Sequence, residues 1–260
     1  KMNTKVCVIG LDNIGFPIMC ILANSGYSVL GVDIDEKVVS KINAVNYMIH
    51  ETALKDLFIK GICKKNLKIS TKVEHSDIYI IAVHTPLNLE NKPDISYVSA
   101  AIESIISYLE TDNLILIEST CPIGTTEMMA KRLRIVCSNI FIAYCPERIL
   151  PGNILSELIY NDRIVGGIDN QSGTQAADFY RSFIHGKIEV TDSKTAEAVK
   201  LAENTYRDIN IAYANELSMI ADHINVNINE LISLANKHPR VNILQPGPGV
   251  GGHCIAIDPY

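Results

Sequence analysis

Apolar and polar positions come in blocks along this chain, and the period of the pattern changes from block to block. Residues Lys5–Ile9 are a short apolar run that stops at Gly10. A helical repeat follows over residues 14–25, Gly26 breaks it, and Ser28–Val32 is a second apolar run closed by Asp33. Strand, glycine turn, helix, strand and acid, in that order, make a mononucleotide-binding unit. The same reasoning predicts strands at residues 78–83, 114–118 and Phe141–Tyr144, with helices over 95–108 and 125–135 between them. Residues 163–165 and 187–190 are candidates to extend the sheet. Strands apolar throughout and alternating with helices predict a parallel sheet covered on both faces.

The pattern changes near residue 193. No Pro or Gly occurs from Lys187 through His238, and one helix is predicted over 193–224, capped by Asp192 or Ser193 and with Glu197 in its early turns. Such a helix is about 45 Å long, a natural bridge or dimer spine. Leu201, Ile209, Ala212 and Leu217 make much of it apolar, which predicts burial around much of its circumference. A second helix is expected over 227–236, ahead of the glycine-rich run 245–254. The expected fold is therefore α/β: a Rossmann-like, doubly wound parallel sheet in residues 1–192, followed by a long-helix, all-α dimerisation region in 193–260.

Composition narrows the function classes. The chain has 260 residues, 47% of them hydrophobic and 20% charged, with a net charge of -6. A negative balance argues against a nucleic-acid partner needing a broad basic face. No apolar run approaches the roughly 20 residues that span a bilayer. Seven scattered cysteines without a C-x-x-C pair fit reduced thiols better than disulfides or a zinc site. With the first strand leaving no room for a signal peptide, the expectation is a cytoplasmic protein without a metal.

Two segments carry candidate chemistry. The turn Gly10-Leu11-Asp12-Asn13-Ile14-Gly15 has the first and third glycines of the dinucleotide fingerprint G-x-G-x-x-G, with Asp12 in place of the second. An aspartate there adds bulk and a charge close to a pyrophosphate; two unit charges about 5 Å apart repel by roughly 3 kcal/mol at an effective dielectric near 20. Asp33 suits both ribose hydroxyls and disfavours a 2′-phosphate, so NAD is the expected cofactor. Thr85 and Thr120, at the carboxyl ends of predicted strands, are expected to neighbour it. The second segment is Gly247-Pro-Gly249-Val-Gly251-Gly252-His253-Cys254, whose glycines let backbone pack closely around a ligand and place one thiol at a fixed point. On the long helix, Lys200, Asn204 and Arg207 fall on one face.

Those residues carry a resemblance. The run 247–259, with Cys254 and Asp258, and the upstream Lys200-Leu-Ala-Glu-Asn204-Thr-Tyr-Arg207 resemble the UDP-glucose/GDP-mannose dehydrogenase family. The stretches 144–152, with Glu147 and Arg148, and 236–247, with His238 and Arg240, are similar to the branch oxidising UDP-N-acetyl-D-mannosamine to its uronic acid. The resemblance covers the whole chain and implies a homodimer built on the long helix. It also implies a C-terminal domain closing over UDP, beyond the parts this chain resembles. It implies Cys254 as covalent nucleophile, Lys200 and Asn204 at the developing oxyanion, Asp258 organising water and Lys200, Glu147 assisting thioester hydrolysis, and Thr120 placing the water. Gly10, Asn13, Ile14, Gly15, Asp33, Thr85 and Thr120 would meet NAD. Arg148, Ile149, Lys200, Asn204, Arg207, His238, Arg240 and Gly249 would meet the UDP-sugar. Asp12 and Asn13 depart from the family's Gly-Leu-Gly-Tyr-Ile-Gly.

Three other readings stand beside this one: a UDP-glucose or UDP-N-acetylglucosamine 6-dehydrogenase, a hydroxyacid or 6-phosphogluconate type dehydrogenase, which forms no covalent intermediate, and a cofactor-deficient sugar-nucleotide binding module.

Overall fold

Burial on both faces turns the run Lys5–Ile9 into a central strand: Val6 and Val8 pack into one hydrophobic cluster, Cys7 and Ile9 into another. The computed structural model describes residues 4–44, 52–149, 152–252 and 254–259. Its strands are β1 (Lys5–Ile9), β2 (Ser28–Val32), β3 (Leu67–Ser70), β4 (Ile78–Ile81), β5 (Leu114–Ile117), β6 (Phe141–Tyr144), β7 (Arg163–Gly167) and β8 (Ile188–Asp192). The helices are α1 (Gly15–Asn24), α2 (Glu36–Asn43), α3 (Thr52–Cys63), α4 (Ser96–Ile105), α5 (Thr125–Val136), α6 (Ile154–Tyr160), α7 (Asn170–Arg181), α8 (Ser193–His223) and α9 (Ile228–Ala235).

Among the described residues the strands form one sheet in the order β3-β2-β1-β4-β5-β6-β7-β8. The reversal of order at β1 and β4 opens a crevice at their carboxyl ends, the usual ligand position in such sheets. Apolar residues of α1, α3 and α7 cover one face, and those of α4 and α5 the other. Every adjacent pair is parallel except β6 and β7. Because β7 runs back along β6, the connection between them stays at the carboxyl edge, and the loop carrying Glu147 stays with it.

Several expectations need adjustment. The predicted strand 78–83 ends at Ile81, and Ala82 and Val83 lead away from it. Strand β3 and helices α2, α3, α6 and α7 have no counterpart in the elements expected from the sequence. The helix predicted over 193–224 is a single 31-residue helix, with Asp192 accepting from Thr195 N at 2.9 Å and Thr195 Oγ1 at 2.6 Å. Its predicted burial around most of the circumference is wrong: Ile209 and Ala212 are exposed. Beyond its first turns, where Ser193, Ala196 and Glu197 are buried, only Lys200, Asn204, Ala214 and Ala221 are buried, a narrow stripe. Side chains on a long helix need no cover on their outer face, and apolar content alone does not reveal which face is covered.

The chain divides into two compact units, Lys1–Asn88 with Pro93–Ala198, and Leu89–Lys92 with Val199–Tyr260. The first turns of α8 belong to the former, and Glu197 fastens them there. Fully buried, it accepts from Gly124 N at 2.5 Å, Thr126 N at 2.8 Å and Thr126 Oγ1 at 2.6 Å, capping α5 from a distant segment. No helix among the described residues is long and apolar enough to cross a membrane. Glu197→Ala strands two buried donors and should cost about 3 kcal/mol; urea unfolding checks it, and a cost below about 1 kcal/mol would mean that other groups satisfy α5.

Candidate active site

At the crevice, sequence dictates a tight turn. Gly10 has φ +93°, and a Cβ there would meet the Ala82 carbonyl oxygen at 2.5 Å, so β1 passes directly against the end of β4. A Cβ on Gly15 would overlap the Gly10 carbonyl oxygen, so α1 starts on top of the turn. No side chain caps α1 at Ile14, and its first turn holds no acid, which leaves the positive end of the helix open to an anion. Asp33, at the end of β2, accepts from Leu11 N at 3.0 Å through Oδ2 and from Asp35 N at 2.9 Å through Oδ1. It holds the turn as well as standing where a ribose would lie. Asn13 is exposed and Ile14 half-buried beside it. Asp12 is the misfit, but its Oδ2 is engaged by His84 Nε2 from beyond β4. A close glycine turn, an uncapped helix and a terminal acid fit a dinucleotide.

Thr85 and Thr120 lie half-buried just past β4 and β5. Ser119 Oγ donates to the Val83 carbonyl at 2.7 Å and thereby binds the two strand ends together. Beneath them lies a buried ionic group that the sequence reading missed. Arg163 Nη2 is 2.9 Å from Glu118 Oε1, its guanidinium sits 4.3 Å over the Tyr180 ring, and Tyr180 Oη donates to Glu118 Oε1 at 2.5 Å. Burial pushes the Glu118 carboxyl up, against the pull of Arg163 and the Tyr180 hydrogen bond. Arg163 Nη2 also reaches the Cys145 carbonyl at 3.4 Å, at the root of the loop holding Glu147, Arg148 and Ile149. Glu147 is buried and accepts from Ile149 N, whereas Arg148 is exposed and donates to the Asp162 carbonyl at 3.2 Å. A charged residue opening the apolar run 163–165 was the available signal, since such a charge demands a partner.

In the other unit, Lys200 and Asn204 are 9% and 6% exposed on adjacent turns of α8. Asn204 Nδ2 donates to Asp258 Oδ2 at 2.5 Å. Asp258 N and Ile257 N donate to the Cys254 carbonyl at 2.9 and 3.0 Å, so Cys254 and Asp258 bracket one tight turn. Gly247 N donates to Asn215 Oδ1 at 2.8 Å, a second tie between this segment and α8. Gly252 takes φ +94°, a conformation that favours glycine just before the thiol. A Cβ on Gly247, Gly249, Gly251 or Gly252 would meet no protein atom within 4 Å, so this run lies open along its glycines. His253 lies outside the described residues. Cys254 is exposed. Arg207, His238 and Arg240 are exposed too, so Arg207 does not share the buried stripe of Lys200 and Asn204. Asn236 also escaped the sequence reading: it clasps the loop of His238 and Arg240 by donating to the Ile243 carbonyl at 2.9 Å and accepting from Ile243 N at 2.7 Å.

Burial separates the thiols. It pushes Cys7 and Cys145 up to about 12 and raises Cys20 and Cys121 as well, so these four are inert in the folded protein. Cys63 and Cys254 are exposed. Iodoacetamide followed by peptide mass mapping should label Cys63 and Cys254 in the native protein, and the four buried thiols only after unfolding. Equal labelling of Cys145 would contradict the buried ionic group beneath it.

Comparison with known proteins places these features. Residues 4–184 match the NAD binding domain of the UDP-glucose/GDP-mannose dehydrogenase family, and residues 194–260 match its central domain. A UDP-N-acetyl-D-mannosamine dehydrogenase of Methanocaldococcus jannaschii is 53% identical over 262 residues, covering 100% of this chain and 61% of that protein. An NDP-N-acetyl-D-galactosaminuronic acid dehydrogenase of Ralstonia nicotianae is 46% identical, over 98% of this chain and 63% of its own length. The solved structure of the Pyrococcus horikoshii UDP-D-ManNAc dehydrogenase superposes with a TM-score of 0.95 at 42% identity, over 99% of this chain and 63% of that one. The chain thus spans about 60% of the length of curated relatives that it matches. A glycine turn held by Asp33, and a thiol turn tied to α8, are accordingly parts of a chain that belongs to the UDP-glucose/GDP-mannose dehydrogenase family.

Proposed function

We propose that the whole protein oxidises the C6 alcohol of UDP-N-acetyl-D-mannosamine to the carboxylate, a four-electron reaction using NAD. When bound, NAD would supply the hydride acceptor for both oxidations. Gly10, Gly15 and Asp33 would hold it, with Asn13, Ile14, Thr85 and Thr120 beside it. The observation that carries the reading is the Asn204–Asp258 hydrogen bond, which ties the exposed Cys254 turn to the stripe bearing Lys200.

The chain's own residues have separable tasks. Lys200 takes the hydroxyl proton during the first oxidation and holds the oxygen by its charge, while Asn204 donates to the same oxygen. The Cys254 sulfur adds to the aldehyde carbon, forming a C–S bond, and the carbonyl oxygen gains a proton. The second oxidation removes the hydrogen on that carbon and the hydroxyl proton, leaving a thioester. Water, placed by Thr120 and Asp258 and relieved of a proton by Glu147, adds to the thioester; the C–S bond breaks and releases the carboxylate and the thiol. Arg148, Ile149, Arg207, His238, Arg240 and Gly249 would hold the sugar nucleotide.

A second copy of the chain is the proposed partner of α8. Tyr206, Ile209, Tyr213, Ile220 and Ile224 recur at helical spacing, and each is more than half exposed. The cysteine residues, all free among those described, support a cytoplasmic setting. The Ralstonia relative's name favours a second substrate reading, an N-acetylgalactosamine nucleotide.

Whole protein given UDP-N-acetyl-D-mannosamine should form two NADH per sugar by absorbance at saturating NAD, and Cys254→Ala should lower that rate by about a thousandfold or more. Undiminished turnover in the variant would point to the hydroxyacid type of dehydrogenase. No heat on titrating NAD would favour the cofactor-deficient binding module. Faster turnover of the galacto epimer would move the substrate assignment. Light scattering should give a dimer that Tyr213→Glu converts to a monomer; a monomeric wild type at micromolar concentration would contradict the α8 interface.

A further inference from the structure

Asp12 occupies the position where a backbone-only residue normally meets a pyrophosphate, and Asp33 already places one carboxylate on the same turn. Two unscreened acids there would oppose a dianion. The structure pairs the first of them. His84, three residues past the end of β4, brings Nε2 to Asp12 Oδ2 across 72 residues of sequence. An ionised carboxylate only accepts, so Nε2 carries the proton. The side chains are 53% and 44% exposed, so the pair stands at the solvent face of the crevice and is itself a weak source of stability. Its consequence lies in the direction it imposes on the carboxylate. Drawn towards the β4 end by that contact, the Asp12 carboxylate leaves the uncapped start of α1 to a ligand.

We infer that His84 is a positioning residue for NAD, acting through Asp12: the two side chains form one unit that restores the anion site which Asp12 alone would spoil. The inference rests on the NAD-binding reading and adds to it a residue outside the glycine fingerprint. His84 need not touch the cofactor. Its removal matters only while the carboxylate of Asp12 is present, and the loss is electrostatic, so salt screens it.

Calorimetric titration of NAD into the whole protein tests this through a double-mutant cycle. His84→Ala should weaken NAD binding about tenfold at low salt, and the loss should shrink as salt rises. Asp12→Gly should bind NAD at least as tightly as wild type. In that background His84→Ala should change affinity by less than about twofold. His84→Gln keeps a donor and should retain most of the affinity; with the unliganded melting temperatures it separates a binding defect from a folding one. An equal loss from His84→Ala with and without Asp12, or no loss at all, overturns the inference. Wild type that binds no NAD would overturn the cofactor reading itself, a result distinct from either.

Discussion

The hydrogen bond from Asn204 to Asp258 is the contact on which the proposed chemistry depends. It closes a segment poor in side chains, where little else could fix a thiol: a Cβ added to its glycines would touch nothing. Cys254 begins the turn that Asp258 ends, through the Asp258 N–H donated to the Cys254 carbonyl. Asn204 sits on the buried stripe of α8, one turn after Lys200. Asn204 and Asn215 of α8 both tie the segment down, through Asp258 and Gly247, and the Cys254 thiol stays exposed.

The same economy recurs at the nucleotide crevice, where single polar contacts hold strand ends in place. Asp33 secures the glycine turn, Ser119 joins the ends of β4 and β5, and Glu197 anchors the start of α8 to α5. Arg163, Glu118 and Tyr180 form a buried ionic group at the root of the loop of Glu147. A buried group of this kind adds little net stability over an apolar one of similar shape, yet breaking it is costly. Arg163 links that group to the root of the loop through the Cys145 carbonyl.

Much of this architecture is legible from the chain alone. The β1–α1–β2 unit shows in its period, its glycines and Asp33, and α8 shows in 31 residues without a breaker. Short elements escape: β3 has four residues and α6 seven, too few for a period to stand out. Contacts between distant segments escape for another reason. Nothing local in Glu197 predicts Gly124 and Thr126 as its partners, and nothing local in Asp12 predicts His84, because only the sheet order brings those segments together. The exposed side of α8 misled for the converse reason, since apolar residues on the outer side of a helix look the same in the sequence as core residues.

Capture of the covalent intermediate bears most directly on the central claim that Cys254 holds the oxidised sugar. The whole protein carrying Glu147→Gln, incubated with UDP-N-acetyl-D-mannosamine and NAD and then analysed by peptide mass spectrometry, should show an acyl adduct of the sugar nucleotide on the Cys254 peptide. Reduced NAD accumulating with that peptide unmodified, or with the adduct on another residue, would contradict the account.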